Sequence, residues 1–110
     1  MNLKATQESA THFHLCDYPH ITDAITKKVP AHMHGALVRY LNDGIQPGDF
    51  LTKLLQGKLE AFFIADEINL SAFRDWVDFL YNDMPSVAWG SETIVGMWTH
   101  SQREVRDDRG

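Results

Sequence analysis

Apolar residues recur along this chain at helical spacing, in blocks separated by turn residues. Met33, Leu37 and Leu41 lie four apart with Ala36, Val38 and Tyr40 beside them, which predicts an amphipathic helix over 30–43. Pro30 suits its first turn, where a missing N–H breaks no bond. The stretch from Tyr40 to Leu51 reads as one helix stopping and another starting. Gly44 supplies the left-handed residue that ends many helices. Pro47-Gly48 is a turn dipeptide with Gly48 expected at positive φ, and Asp49 is a candidate cap for the second of these helices. Phe50, Leu51, Leu54 and Leu55 mark that helix, ended by Gly57. Leu59, Phe62 and Phe63 continue on a third short helix or a bent extension of the second. Leu70, Phe73, Trp76, Val77 and Leu80, with Tyr81, mark the longest clear helix, about 70–83, stopped by Pro85. Trp89-Gly90-Ser91 is a turn, and Ser91 is the expected cap of a last helix carrying Ile94, Val95, Met97 and Trp98.

Towards the N-terminus the period changes. Phe13 and Leu15 alternate with His12, His14 and Cys16, which predicts an extended arm lying on the helices or pairing with another chain. Ile21 to Lys28 suits one or two helical turns, with Thr22 as a candidate cap. Residues 101–110 are charged and expected to fray. The expected fold is all-α: a small irregular bundle of four to five short helices. Its expected parts are an N-terminal arm over 1–29, a helical domain over 30–100 and a flexible tail over 101–110. Leu37, Leu41, Leu54, Phe62, Phe73, Trp76, Val77 and Leu80 are the expected core.

Composition agrees with a single packed domain. Of 110 residues, 44% are apolar, and three Trp, six Phe and three Tyr supply ample ring area for a core. The net charge is −5: residues 1–29 sum to 0, residues 30–90 to −4 and residues 91–110 to −1. The acidity therefore sits on the middle of the chain. No basic patch is visible, which argues against direct nucleic-acid binding and against an anionic membrane surface. A single Cys16 excludes an intrachain disulfide and suits a reducing compartment. No apolar run approaches the roughly 18 residues of a membrane span. The first residues also lack the apolar centre of a signal peptide. A cytoplasmic location is the expectation.

Few residues suggest chemistry. On an extended segment His12, His14 and Cys16 share a side and form a candidate metal set, against the plainer reading of a polar arm edge. His32 and His34 sit about 200° apart on a helix and cannot hold one ion. Nothing orders a base beside Cys16, so a Cys–His nucleophile lacks support. Asp75 and Asp78 lie three apart on a helix face. Such pairs do acid–base work in some sites and are solvated surface in most. Gly44 to Gly48 is not followed by the Lys-Ser/Thr of a phosphate loop. The residues predict no cofactor and no enzyme.

The aromatic surplus says more. Phe62-Phe63-Ile64 places three large residues in a row, and one small core cannot take them all. Trp89 sits in a loop, where it plugs the core or meets a partner. Phe63, Ile64 and Trp89, with the acidic Asp75 and Asp78, are the candidate partner-binding residues. The same surplus, with Trp98, predicts a homodimer.

From His32 to about Trp98 the chain resembles a family of small uncharacterised proteins encoded by tailed bacteriophages and prophages. The resemblance rests on Arg39-Tyr40, Gly44-Ile45, Pro47-Gly48-Asp49-Phe50-Leu51, Leu59, Ala61-Phe62, Ala65-Asp66 and Asn69. It continues through Phe79-Leu80-Tyr81-Asn82, Pro85 and Trp89-Gly90-Ser91. It implies a phage setting and brings no established activity. The histidine segment and the tail lie outside it. The first functional expectation is a non-enzymatic accessory protein that binds a host or phage protein in the bacterial cytoplasm, inhibiting a host process or defence. The second is a helical oligomer that sequesters a small ligand such as a nucleotide signal, which needs Arg39, Lys53, Arg74 and an aromatic such as Tyr40 or Trp89 to converge. A metal-dependent enzyme is the third.

Overall fold

The computed structural model describes the backbone of residues 13–109 and the side chains of residues 13–104. The architecture is all-α, with no strand among the described residues. Six α-helices run in order: α1 (Pro19–Lys28), α2 (His34–Asp43), α3 (Asp49–Leu55), α4 (Glu67–Ser71), α5 (Phe73–Asn82) and α6 (Glu92–Arg109). Short 3-10 turns at Leu15–Asp17, Ala31–Met33, Leu59–Phe62 and Ser86–Ala88 join them.

The core forms where the apolar stripes of these helices meet. Leu37, Tyr40 and Leu41 of α2, Leu51 and Leu55 of α3, and Trp76 and Phe79 of α5 are at most 1% exposed. Val95 and Trp98 of α6 close it from one side, and Ile21, Ala24 and Ile25 of α1 from another. Buried polar atoms find partners, as they must away from water. The Tyr40 hydroxyl donates to the Ala88 carbonyl (2.6 Å), and the Trp98 indole N–H donates to the Tyr40 carbonyl (3.0 Å). Burial also pushes the Tyr40 phenol above its ordinary range. The Trp76 indole N–H donates to Asn69 Oδ1 (3.1 Å), a bond buried on both sides.

The turn after α2 follows its sequence reading in part. Gly44 sits at φ +67°, and its N–H and that of Ile45 close the helix on Tyr40 and Arg39. A Cβ on Gly44 would lie 2.5 Å from the Thr99 carbonyl oxygen, so α6 crosses this turn at backbone contact. Gly48, expected at positive φ, is extended (φ −70°), and Asp49 is the first residue of α3 rather than its cap. The cap position falls to Gly48, and Thr52 Oγ1 steadies the turn by donating to the Pro47 carbonyl (3.0 Å).

Four further expectations change. The helix read over 70–83 is two helices that meet at Ala72, because Asp66 caps a separate first piece by accepting the Asn69 N–H (2.7 Å). The first 29 residues are not only an arm. Residues 19–28 form a full helix that buries Ile21, Ala24 and Ile25, and Lys28 at its end binds Asp78 of α5 (3.1 Å) and Asp83 just after it (2.7 Å). Residues 101–109 continue α6 instead of fraying, held by the buried Gln102. The extended pattern at 13–16 gives way to a 3-10 turn at Leu15–Asp17, capped by His14. The segment does lie on the helices: Phe13 stacks on Tyr18 (4.8 Å) and meets Trp98 edge-on (5.3 Å).

Gln102 links residue 13 to α6. Its Oε1 accepts the Phe13 N–H (3.2 Å), and its Nε2 donates to the carbonyls of Phe13 (2.8 Å), Leu41 (2.7 Å) and Asn42 (3.1 Å). Asn42 Oδ1 accepts the Leu15 N–H (2.8 Å) beside it. One amide thus satisfies the last turn of α2 and ties the N-terminal segment to α6.

Candidate functional site

The 3-10 turn at Leu59–Phe62 packs against α3 and faces α5, and the two elements leave a recess between them. The recess holds about 270 Å³ and is lined by Leu54, Leu59, Phe62, Phe73, Val77, Leu80, Tyr81 and Trp89, with Gly57 and Lys58. In a 3-10 turn, residues three apart eclipse, which brings Leu59 and Phe62 to the same side. Phe62 meets Phe73 edge-on (4.6 Å) and Phe50 (5.7 Å), and Phe50 meets Trp76 (5.8 Å). The rings thus run from the buried core to the surface. Tyr81 and Trp89 stand at right angles 5.0 Å apart on the other wall. Gly57 (φ +78°) approaches Gly90 closely: a Cβ there would lie 2.8 Å from the Gly90 carbonyl oxygen. The Gly90 N–H also donates to the Leu55 carbonyl (2.7 Å), which fixes the Trp89 loop to the end of α3.

The rim is open and apolar. Leu59 is 84% exposed, Tyr81 75% and Phe73 46%. Phe63, next to the recess in sequence but not lining it, is 91% exposed. The charges nearby are paired. Lys58 binds Glu92, and Lys53 binds Glu60 (2.9 Å). These bonds raise the Lys58 ammonium and hold both carboxyls below their ordinary range.

The candidate partner residues therefore divide. Trp89 lines the recess, and Phe63 stands beside it; Ile64 is half exposed. Asp75 lines a separate shallow recess of about 340 Å³ with Lys27, Lys28 and Ser71. Asp78 is taken up by Lys28 and by the Asn82 amide, and those bonds hold its carboxyl below the usual range. Asp75 and Asp78 do not form one acidic site. Trp98, counted in the surplus, is core.

The four proposed ligand residues do not meet in either recess. Tyr40 is fully buried with its hydroxyl committed to Ala88, Lys53 is paired with Glu60, and Arg39 and Arg74 are exposed and line neither recess. Of the metal set, His12 lies outside the described residues. His14 Nδ1 accepts the Cys16 N–H (3.1 Å), and Cys16 is exposed. Among the described residues no three His, Cys, Asp or Glu side chains group in a way that holds an ion. His32 and His34 do not share a helix, since His32 lies in the 3-10 turn and His34 opens α2: His34 donates to the Val29 carbonyl (2.6 Å) and His32 to Asp66 (3.0 Å).

Sequence spacing alone assigns Leu59, Phe73 and Tyr81 to helix faces or core. Their exposure carries no separate sequence signal: Phe73, Trp76, Val77, Leu80 and Tyr81 form the ordinary i, i+3, i+4, i+7, i+8 stripe of a core-facing helix. Neither a protein-family model, nor a curated protein, nor a solved structure matches the chain. Among the described residues no helix is long and apolar enough to cross a membrane.

Proposed function

We propose that this chain is a non-enzymatic binding protein that docks a segment of another protein in its apolar recess. Following the resemblance drawn from its sequence, the setting is a bacteriophage accessory protein. It acts on a host or phage protein in the bacterial cytoplasm and restrains a host process or defence. One observation carries the reading: a ring-lined recess with exposed Leu59, Phe73 and Tyr81 on its rim. Contiguous apolar surface rimmed by polar groups marks interaction sites. Interfaces also draw much of their energy from aromatic anchors seated in such pockets. The fitting partner presents one or two bulky apolar side chains and little net charge, because the lysines beside the recess already hold carboxylates.

The test compares capture from bacterial lysate by the wild-type chain and by Tyr81→Glu, with native mass spectrometry of the eluted complexes. The expected outcome is a protein retained by the wild type and lost by the variant. Equal retention by both would remove the recess from the binding surface. A retained small molecule or metal ion in place of a protein would overturn the reading.

A further inference from the structure

We infer that in the free protein a second copy of this chain covers the recess, each copy placing its Phe63 in the recess of the other about a two-fold axis. This rests on the reading of the recess as a protein-docking surface, and it makes dimerisation and partner capture compete for the same residues.

The shape of the face is self-complementary. Leu59 and Phe62 line the recess from one side of the 3-10 turn, and Phe63 steps about 120° away from Phe62. Phe63 therefore stands out beside the recess, 91% exposed, rather than folding into it. A projecting ring and a ring-lined hollow on one face are what an isologous contact requires, since each copy must offer both halves.

The charge is self-compatible. The chain carries −5, which opposes association in general. Beside the recess, however, Lys58 is matched by Glu92 and Lys53 by Glu60, so these four charges cancel in pairs. Two copies meet there without net repulsion from these charges, whereas a strongly charged partner gains nothing from them.

The exposed rings supply part of the area a dimer needs. At roughly 200 Å² per ring, the exposed parts of Phe63, Tyr81 and Phe73 offer on the order of 400 Å². That is about half of one side of a standard interface. Leu59, 84% exposed, and the half-buried Trp89 add to it.

Light scattering and sedimentation of the full chain at micromolar concentration test the inference. The expected mass is near twice 12.6 kDa. Phe63→Glu and Leu59→Glu are each expected to shift the protein to the monomer. Both positions are solvent-exposed, so circular dichroism should show folded variants. A wild-type mass near 12.6 kDa overturns the inference. A dimer that survives either substitution overturns the arrangement. The partner reading fails separately. A monomeric wild type whose lysate partner is lost by Tyr81→Glu keeps the docking site and removes the second copy. A dimer broken by both variants, with no protein captured at all, does the reverse.

Discussion

Where residues 13–15, the last turn of α2 and the second half of α6 meet, three rings and a buried amide leave little unspent. Phe13 lies between Tyr18 and Trp98, the Trp98 N–H is bonded, and Gln102 satisfies carbonyls on two elements. Around the recess between the Leu59–Phe62 turn and α5, rings are as dense, yet Leu59, Phe73 and Tyr81 face solvent. The residue types are the same. The difference is what crosses them. α6 runs over the first region at backbone contact with Gly44, while no described element covers the second. Aromatic residues stabilise a fold where a further element covers them, and where none does they are available for association.

Trp76 joins the two regions, since it is fully buried and meets Phe50, which meets Phe62. Trp76→Ala is expected to cost roughly 3–5 kcal/mol, from lost burial, a cavity and an orphaned Asn69 carbonyl. That approaches the whole stability of a small domain. Chemical denaturation checks it, and an unchanged midpoint would show that the core does not run through this ring. In the covered region, Gly44→Ala is expected to cost about 2 kcal/mol or more. It places a Cβ at positive φ and drives it into the Thr99 carbonyl. Thermal melts test this; full stability would mean that α6 does not cross the turn closely.

Gln102→Met keeps the volume and removes the amide. The Phe13 N–H and the carbonyls of Phe13 and Leu41 then lose their partner. The expected loss is about 1–3 kcal/mol. Hydrogen exchange adds a local readout, with faster exchange expected at the Phe13 amide. If the loss were confined to exchange at the recess, the division between the two regions would be drawn in the wrong place.

The same division marks what the sequence could tell. Helices with a clear apolar stripe were legible, and so were the stops at Gly44, Gly57 and Pro85 and the Ser91 cap, which accepts the Ile94 N–H (3.1 Å). The tail was not, because a charged composition outweighed one Gln whose role depends on residues 89 positions away. The break at Ala72 was hidden, since Leu70 and Phe73 continue a helical spacing across it. The recess was half legible. A surplus of rings pointed to an exposed apolar surface at Phe63 and Trp89, but which rings stay uncovered is decided by where α6 lies. The ligand set failed for a related reason. Tyr40 reads equally well as a ligand ring or a core ring, and only the approach of Ala88 and Trp98 decides.

Acid should loosen the α4 cap. Asp66 accepts the Asn69 N–H and also faces His32, and these bonds, the first foremost, hold its carboxyl below the ordinary range. A carboxyl depressed on folding contributes stability above its unfolded value of about 3.9. That contribution is lost as pH falls through the lower folded value. Melts of wild type and Asp66→Ala should therefore differ at neutral pH and converge in strong acid. A difference that persists unchanged in acid would assign the effect to packing rather than to the charged cap.

The smallest expected effect separates the two regions most sharply. Tyr81→Ser removes a ring that is 75% exposed, and its folding free energy should change by no more than about 0.5 kcal/mol. The comparison belongs at low protein concentration, where association adds nothing to apparent stability by mass action. Trp98→Ala, a comparable loss of ring in the covered region, should by contrast cost about 3–5 kcal/mol. If Tyr81→Ser were to destabilise the isolated chain as Trp98→Ala does, the recess would be a loosely packed piece of core. A neutral Tyr81→Ser that nonetheless weakens the dimer or the captured complex would place the ring's contribution in association, where its exposure in the single chain leaves it.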